Sequence, residues 1–192
     1  NPIYHLQGIE SEKQRNHSLF KELLFVGSLK HQKNLPFLIS SIKELSLRRQ
    51  DFIFRIVGDG SLRKELKAFA EELAVGKFVS FEGFSSNPSV FYNNADLFVL
   101  GSFYEGFPNV LVEAISYGVP VVSVNCKSGP SDIVKPGLNG FLVNGYNTQD
   151  FASKISAALD KSWDKELLTQ SINEFRFNTI FDQYKNYITD EG

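Results

Sequence analysis

The sequence has 192 residues, of which 42% are hydrophobic and 22% are charged, and its formal net charge is -2 at pH 7. This length fits one domain of ordinary size with a sizeable apolar core. A net charge so close to zero argues against nucleic acid as the main partner, because binding to a phosphate backbone requires a basic surface.

Cysteine content and hydropathy exclude further classes. Cys126 is the single cysteine, so an internal disulfide framework is excluded and a reducing compartment such as the cytoplasm is favoured. The sequence contains no apolar run long enough to span a bilayer and no polybasic block. It also contains no methionine, and we therefore interpret it as part of a longer polypeptide.

Taken in chain order, short apolar runs alternate with helical periodicity. A polar stretch at 1–21 predicts a linker or leading segment, and 163–192 predict closing helices. The pattern between them predicts strands at 23–27, 52–57, 78–81, 97–100 and 119–124, and helices near 34–48, 62–73, 88–94 and 151–159. This alternation predicts an α/β fold, a Rossmann-like doubly wound parallel sheet with helices on both faces. Ligands of such sheets bind outside the carboxyl ends of the strands.

The segment between Glu105 and Glu113 is the most informative part of the sequence. It connects the predicted strand 97–100 to a helical apolar pattern, which predicts Glu105 in a loop and Glu113 about one turn into the helix. Gly106 allows the backbone to approach a ligand, and Asn109 is predicted as the N-cap. The start of a helix attracts an anion such as phosphate, and each flanking carboxylate can bind a pair of vicinal hydroxyls. A nucleotide sugar has this shape.

A family resemblance extends this interpretation. Residues 105–114 read Glu-Gly-Phe-Pro-Asn-Val-Leu-Val-Glu-Ala and residues 117–122 read Tyr-Gly-Val-Pro-Val-Val, which resembles glycosyltransferase family 4. Further segments resemble this family in the same order over roughly residues 22–160: 25–29, 57–60, 79–84, 128–134 and 139–143. The resemblance implies the donor-binding, C-terminal half of a retaining enzyme with the two-domain GT-B fold. Residues 22–162 would form the nucleotide-sugar-binding domain, and an N-terminal acceptor domain is not matched by this sequence.

The resemblance also implies roles for individual residues. Glu105 would be catalytic, contacting donor-sugar hydroxyls and stabilising positive charge at the anomeric carbon, and Glu113 would bind the ribose hydroxyls. The main chain at Phe84 would pair with the base. The residues implied for the donor sugar and diphosphate are Ser28, Lys33, Gly106, Phe107, Pro108, Asn109 and Val110.

One of these positions departs from the family pattern. Ser28 stands where the family usually has an arginine that pairs with the donor diphosphate. Lys30 and Lys33 keep positive charge in the same loop, although a lysine lacks the bidentate geometry of arginine. Either donor affinity is reduced, or the Ser28 hydroxyl bridges to the phosphate instead.

The predicted activity is that of a hexosyltransferase or N-acetylhexosaminyltransferase. The resemblance favours a UDP-sugar donor and a saccharide or lipid-linked acceptor in cell-surface polysaccharide or glycan synthesis. We expect no cofactor and no metal, since the sequence has no Asp-x-Asp pair. The 192 residues alone are expected to bind nucleotide weakly without turnover. The full-length enzyme is expected in the cytoplasm, with peripheral association at the cytoplasmic face of the membrane as an option.

Three alternatives remain open at this point. The nearest is another GT-B enzyme, such as a UDP-sugar epimerase or a phosphorylase. A non-catalytic sugar-nucleotide-binding module is the second, and a flavodoxin-like signalling or redox domain is the third. A nicotinamide cofactor is disfavoured, because Arg63 replaces the third glycine of the dinucleotide-binding pattern that begins at Gly58.

Overall fold

The computed structural model describes residues 20–175. The predicted leading segment up to residue 19 and the part of the predicted closing helices beyond residue 175 lie outside this range. The described residues form a single open sheet of six strands flanked by helices.

All the strand pairs in this sheet are parallel, and the strand order is β3-β2-β1-β4-β5-β6. The strands are β1 (Lys21–Val26), β2 (Phe52–Val57), β3 (Val79–Gly83), β4 (Leu97–Leu100), β5 (Val121–Val124) and β6 (Gly140–Val143). Every residue of β4 and β5 is buried, as expected for strands covered on both faces. The predicted α/β, Rossmann-like doubly wound parallel sheet is therefore confirmed.

Seven helices connect or follow these strands within the described residues: α1 (Leu35–Ser46), α2 (Arg63–Glu72), α3 (Ser89–Asn94), α4 (Asn109–Ser116), α5 (Pro130–Ile133), α6 (Thr148–Asp160) and α7 (Lys165–Gln170). Local sequence fixes several of their starts. The Asn147 side chain accepts hydrogen bonds from the backbone amides of Gln149 and Asp150, and Asp164 caps α7 in the same way. Right-handed crossovers leave β1 and β4 in opposite directions along the sheet, which places helices on both faces.

The change of direction between β1 and β4 determines where a ligand can bind. The chain runs outward from β1 through β2 to β3, and then returns to β4 and runs outward through β5 to β6. The loops that follow β1 and β4 therefore both lie at the carboxyl edge of the sheet, on the two sides of the switch point, where open α/β sheets bind ligands in a crevice. These loops, residues 27–34 and 101–108, carry most of the residues that the sequence predicted for the site.

The structure differs from the sequence prediction at two places in the second half of the sheet. The predicted strand 119–124 begins only at Val121, because the backbone amides of Gly118 and Val119 still bond to carbonyls of α4. Strand β6 was not predicted as a strand. Its first residue, Gly140, lies so close to β5 that an added Cβ would be 2.2 Å from the carbonyl oxygen of Val121.

Candidate functional site

Two hydrogen bonds join the loops after β1 and β4 side by side. The backbone amide of Phe103 donates to the carbonyl of Gln32 at 2.9 Å, and the Gln32 side-chain amide donates to the carbonyl of Tyr104 at 2.9 Å. The β1 loop also passes close to the end of β2, where an added Cβ at Gly58 would be 1.9 Å from the carbonyl oxygen of Gly27. The two loops are therefore held to each other, and the β1 loop is held against the end of β2.

Glu105 lies in the loop after β4, and its side chain is only 6% exposed. Its Oε1 accepts hydrogen bonds from Lys33 Nζ, at 2.8 Å, and from the Ser102 hydroxyl. Its backbone carbonyl accepts a further hydrogen bond from the Ser128 hydroxyl at 3.0 Å. The structure thus brings Glu105 and Lys33 together, as an ion pair that the sequence did not predict.

The single cysteine lies near this ion pair. Burial raises the pKa of the Cys126 thiol, and the nearby negative charge of Glu105 raises it further. Partial burial likewise raises the pKa of Tyr146, whose hydroxyl donates to the carbonyl of Ser102 at 3.1 Å. A thiol with a raised pKa is a poor nucleophile, so Cys126 is not a candidate nucleophile.

The segment from Gly106 to the start of α4 directly follows Glu105 at the carboxyl edge of the sheet. A Cβ added to Gly106 would have no atom within 4 Å, so its backbone is open to a ligand. The ring of Phe107 packs against Phe175, with centroids 5.4 Å apart. Gly129 supports the segment from behind at φ 94°, where an added Cβ would be 2.5 Å from Pro108 Cδ.

The predicted N-cap role of Asn109 is wrong. Asn109 is the first residue of α4, Pro108 is the N-cap, and no side chain caps this helix. The Asn109 backbone amide donates to the carbonyl of Phe107 at 2.9 Å, and its Oδ1 is buried with no hydrogen-bond partner among the described residues. A ligand contact through this amide would therefore have to compete with a turn that is already formed.

Glu113 lies in the fifth position of α4 and is half-buried. Its Oε2 accepts a hydrogen bond of 2.9 Å from the hydroxyl of Tyr92, a residue of α3 that is 1% exposed. Burial raises the pKa of Tyr92 far above its ordinary value, with a further contribution from the charge of Glu113. Sequence reasoning missed Tyr92, although its position in a short predicted helix just before β4 was the signal available.

The remaining predicted residues are distributed along the carboxyl edge of the sheet. Ser28 is exposed in the β1 loop, beside Lys30, which is also exposed. Phe84 follows β3 and its side chain is 79% exposed, so it is not a core aromatic. Strand β2 separates Phe84 from the β1 loop. The predicted base contact thus lies apart from the residues around Glu105.

Residues 20–175 contain neither a metal-binding cluster nor a helix that could span a membrane. No three His, Cys, Asp or Glu side chains in this range are grouped so that they could hold a metal ion. No helix in the same range combines the length and the apolar character needed to cross a bilayer.

Comparison with known proteins gives the family. A family model described as Glycosyl transferases group 1 matches residues 9–175 of the sequence. The chain belongs to this family. The match includes both loops of the crevice and the whole of α4.

Individual family members show how much of a longer protein this chain represents. A Campylobacter jejuni protein named GalNAc-α-(1→4)-GalNAc-α-(1→3)-diNAcBac-PP-undecaprenol α-1,4-N-acetyl-D-galactosaminyltransferase is 31% identical over 173 residues, which are 88% of this chain and 48% of that protein. The lipopolysaccharide outer core galactosyltransferase WaaB, in its apo form, has 30% sequence identity and a TM-score of 0.82, over 94% of this chain and 51% of that one. The chain therefore spans about half the length of the relatives that it matches.

A more distant structure supports the fold. Anabaena HepE, solved in complex with UDP, has a TM-score of 0.79 and 23% identity, over 90% of this chain and 49% of that one. At this identity the likeness concerns the fold alone. Together with WaaB it shows that the six-stranded sheet is the Rossmann-like α/β fold found in GT-B glycosyltransferase structures.

Proposed function

We propose that this chain binds a nucleoside-diphosphate sugar, with a preference for UDP-sugars, and forms the donor site of a retaining glycosyltransferase of family 4. The acceptor would be a saccharide or a lipid-linked saccharide. The observation that supports the proposal is the Lys33–Glu105 ion pair, which lies between the loops after β1 and β4 at the switch point of the sheet and shortly before α4, the helix of Glu113. The names of the Campylobacter and WaaB relatives, which mention sugar transfer and an undecaprenol-linked saccharide, support it.

Each part of the donor has a chemically suitable partner in this arrangement. Glu113 would bind the ribose hydroxyls, and the main chain at Phe84 would bind the base. Lys33 and the backbone around the start of α4 would hold the diphosphate, since a cation and helix amides both favour phosphate. Ser28, exposed in the β1 loop, would add a hydroxyl donor where the family usually has arginine.

Glu105 would act at the sugar. It is almost fully buried, so a charge that develops on the sugar ring interacts with it in a medium of low dielectric constant. When the donor enters, its diphosphate competes for Lys33, and the sugar hydroxyls replace Lys33 as donors to Glu105. This exchange lets both charged groups of the ion pair keep a partner throughout binding.

The transfer itself needs no enzymatic base in this proposal. The bond between the anomeric carbon and the diphosphate oxygen breaks, and the acceptor oxygen forms a new bond to that carbon on the same face. The acceptor proton passes to an oxygen of the departing diphosphate. Positioning and electrostatic stabilisation then account for catalysis. We propose that no metal takes part and that the enzyme works in the cytoplasm.

Nucleotide binding is the first test. Calorimetry with UDP and with GDP would be run on this chain, on Glu113→Ala and on Glu72→Ala, an exposed acid of α2 that serves as the matched control. Loss of a charge-assisted hydrogen bond pair should weaken UDP binding by about tenfold or more in Glu113→Ala. Equal UDP affinity for the chain and for Glu113→Ala would overturn the proposed site.

The reaction class requires the longer polypeptide that we infer from the relatives. Incubation with a UDP-sugar and an acceptor, followed by NMR of the product, should show a glycoside with the anomeric configuration of the donor. Glu105→Gln should abolish its formation. An epimerised nucleotide sugar, a sugar phosphate or a product of inverted configuration would each contradict the proposed reaction while leaving nucleotide binding intact.

A further inference from the structure

A buried tyrosine holds the carboxylate that we assign to the ribose. The Tyr92 ring stacks on Tyr117, with centroids 5.3 Å apart and an interplanar angle of 14°, and its other ring neighbour is Phe98 at 6.0 Å. Its hydroxyl donates to Oε2 of Glu113 at 2.9 Å. Oε1 of Glu113 has no hydrogen-bond donor among the described residues.

From this geometry we propose that Tyr92 is a positioning residue that sets the preference of the site for ribose over 2′-deoxyribose. The inference rests on the proposed function, because it assumes that Glu113 binds the nucleotide ribose. Tyr92 does not contact the ligand and acts through the orientation of the Glu113 carboxylate.

The physical reason lies in the freedom of a glutamate side chain. Glu113 has several rotatable bonds and is half-buried, so without a fixed partner its carboxylate would sample several rotamers and lose entropy on binding a ligand. Tyr92 is held by aromatic neighbours on α4 and β4, which gives its hydroxyl a defined position. One carboxylate oxygen is thereby fixed, and the plane of the group is set for the hydroxyls of the ribose.

The chemistry of the donor also matters. The Tyr92 hydroxyl is neutral, and its raised pKa keeps it protonated, so it donates to the Glu113 carboxylate without bringing a positive charge beside it. A charged acceptor makes stronger hydrogen bonds to hydroxyl groups than a neutral one. A lysine at the same place would have neutralised Glu113, as Lys33 does for Glu105.

A core tyrosine whose hydroxyl needs only a hydrogen-bond partner would make the same hydrogen bond. The test must therefore separate a role in positioning Glu113 from a purely structural role. The wild-type chain, Tyr92→Phe, Glu113→Ala and the double variant would each be titrated with UDP and with 2′-deoxy-UDP. Tyr117→Phe is the matched control, because it removes a hydroxyl from the stacked ring and leaves the Tyr92–Glu113 hydrogen bond in place. Circular dichroism melting would verify folding.

We expect the wild-type chain and Tyr117→Phe to bind UDP about tenfold tighter than 2′-deoxy-UDP. In Tyr92→Phe this ratio should fall to about threefold or less, with most of the loss on UDP. In the Glu113→Ala background the same change at Tyr92 should alter UDP affinity by less than about twofold, because the two residues act as one unit.

Two results would overturn the inference. One is a folded Tyr92→Phe that keeps the wild-type ratio of the two dissociation constants. The other is an equal weakening of both nucleotides by Tyr92→Phe with and without Glu113, which is the behaviour of a purely structural residue. If Tyr92→Phe does not fold, 3-fluorotyrosine at this position keeps the ring and alters the strength of its donor, and an unchanged ratio would again decide against the inference. Failure of the proposed function differs from all of these, since the wild-type chain would then bind neither nucleotide.

Discussion

The two glutamates of the site are held in opposite ways. Glu105 is in a loop, is almost fully buried, and is paired with the cation of Lys33. Glu113 is on a helix, is half-buried, and is paired with the neutral hydroxyl of Tyr92. A carboxylate that must stay buried needs a counterion until a ligand arrives, whereas one that partly faces water can keep its charge. The same side chain is thereby prepared for two different tasks.

The largest effect should come from breaking the ion pair. Lys33→Ala leaves Glu105 buried with Ser102 as its remaining side-chain donor, and should lower the free energy of unfolding by about 3 to 5 kcal/mol. Glu105→Ala should cost less, about 1 to 2 kcal/mol, because the long Lys33 side chain can turn towards water. Urea denaturation would measure both free energies. The control is Lys64→Ala, at an exposed position of α2. A Lys33→Ala variant as stable as Lys64→Ala would show that the pair is not a buried one.

A second prediction concerns the wall between the two glutamates. Gly129→Ala combines an unfavourable φ of 94° with a clash against Pro108. Gly137→Ala is its matched control, since Gly137 has φ 81° and no atom within 4 Å of an added Cβ. Positive φ should cost about 1 kcal/mol in each variant, and the clash should add about 1 kcal/mol at Gly129 alone. Equal melting temperatures for the two variants would contradict this account.

A third prediction is that removing the two glutamates changes the affinity for UDP in opposite directions. Glu105→Ala frees Lys33 for the diphosphate, so UDP should bind about fivefold tighter even though sugar transfer is lost. Glu113→Ala should weaken UDP instead. Calorimetry on the two variants would establish the signs, and a weaker affinity of Glu105→Ala for UDP would show that Lys33 is not shared between carboxylate and phosphate.

The smallest effect is expected at a partly exposed ion pair that lies before β2, away from the carboxyl edge of the sheet. Arg49 binds both oxygens of Asp51, at 2.7 and 2.8 Å, and this holds the pKa of Asp51 below its ordinary value of 3.8. A lowered carboxylate pKa contributes stability that is present above pH 3.8 and is lost as the pH falls through the lowered value. Asp51→Asn should thus cost less than about 0.5 kcal/mol at pH 7.

Thermal denaturation at several pH values would check this. The difference between the two proteins should disappear in strong acid. A difference that persists there would assign the effect to something other than the charge of Asp51.

Sequence patterns were sufficient to predict features that depend on a single residue or on the spacing of apolar residues along one segment. Strands β2 and β4 begin and end where the apolar runs predicted, and Glu105 and Glu113 lie in a loop and a helix as expected. The pairs at the site were beyond such patterns. Lys33 and Glu105 are 72 positions apart, and Tyr92 and Glu113 are 21 apart on different helices, so only the packing of the sheet brings them together.

The incorrect N-cap at Asn109 has a local cause. The Leu111 amide bonds to the carbonyl of Pro108, so the helix begins after the proline and the Asn109 side chain is turned into the protein instead of over the first turn. The general preference of asparagine for the N-cap position could not show that Pro108, and not Asn109, would occupy it. Strand β6 was missed because its pattern starts with Gly140, which is disfavoured in strands and is required here by close contact with β5.

The Lys33–Glu105 pair also bears on which cellular anions the site would admit. Inorganic phosphate and pyrophosphate are attracted to lysine, but each brings further negative charge beside the buried carboxylate of Glu105. A molecule that carries neutral sugar hydroxyls next to its phosphates offers a suitable partner to both members of the pair. The ion pair would in this way disfavour abundant small phosphates relative to a nucleotide sugar.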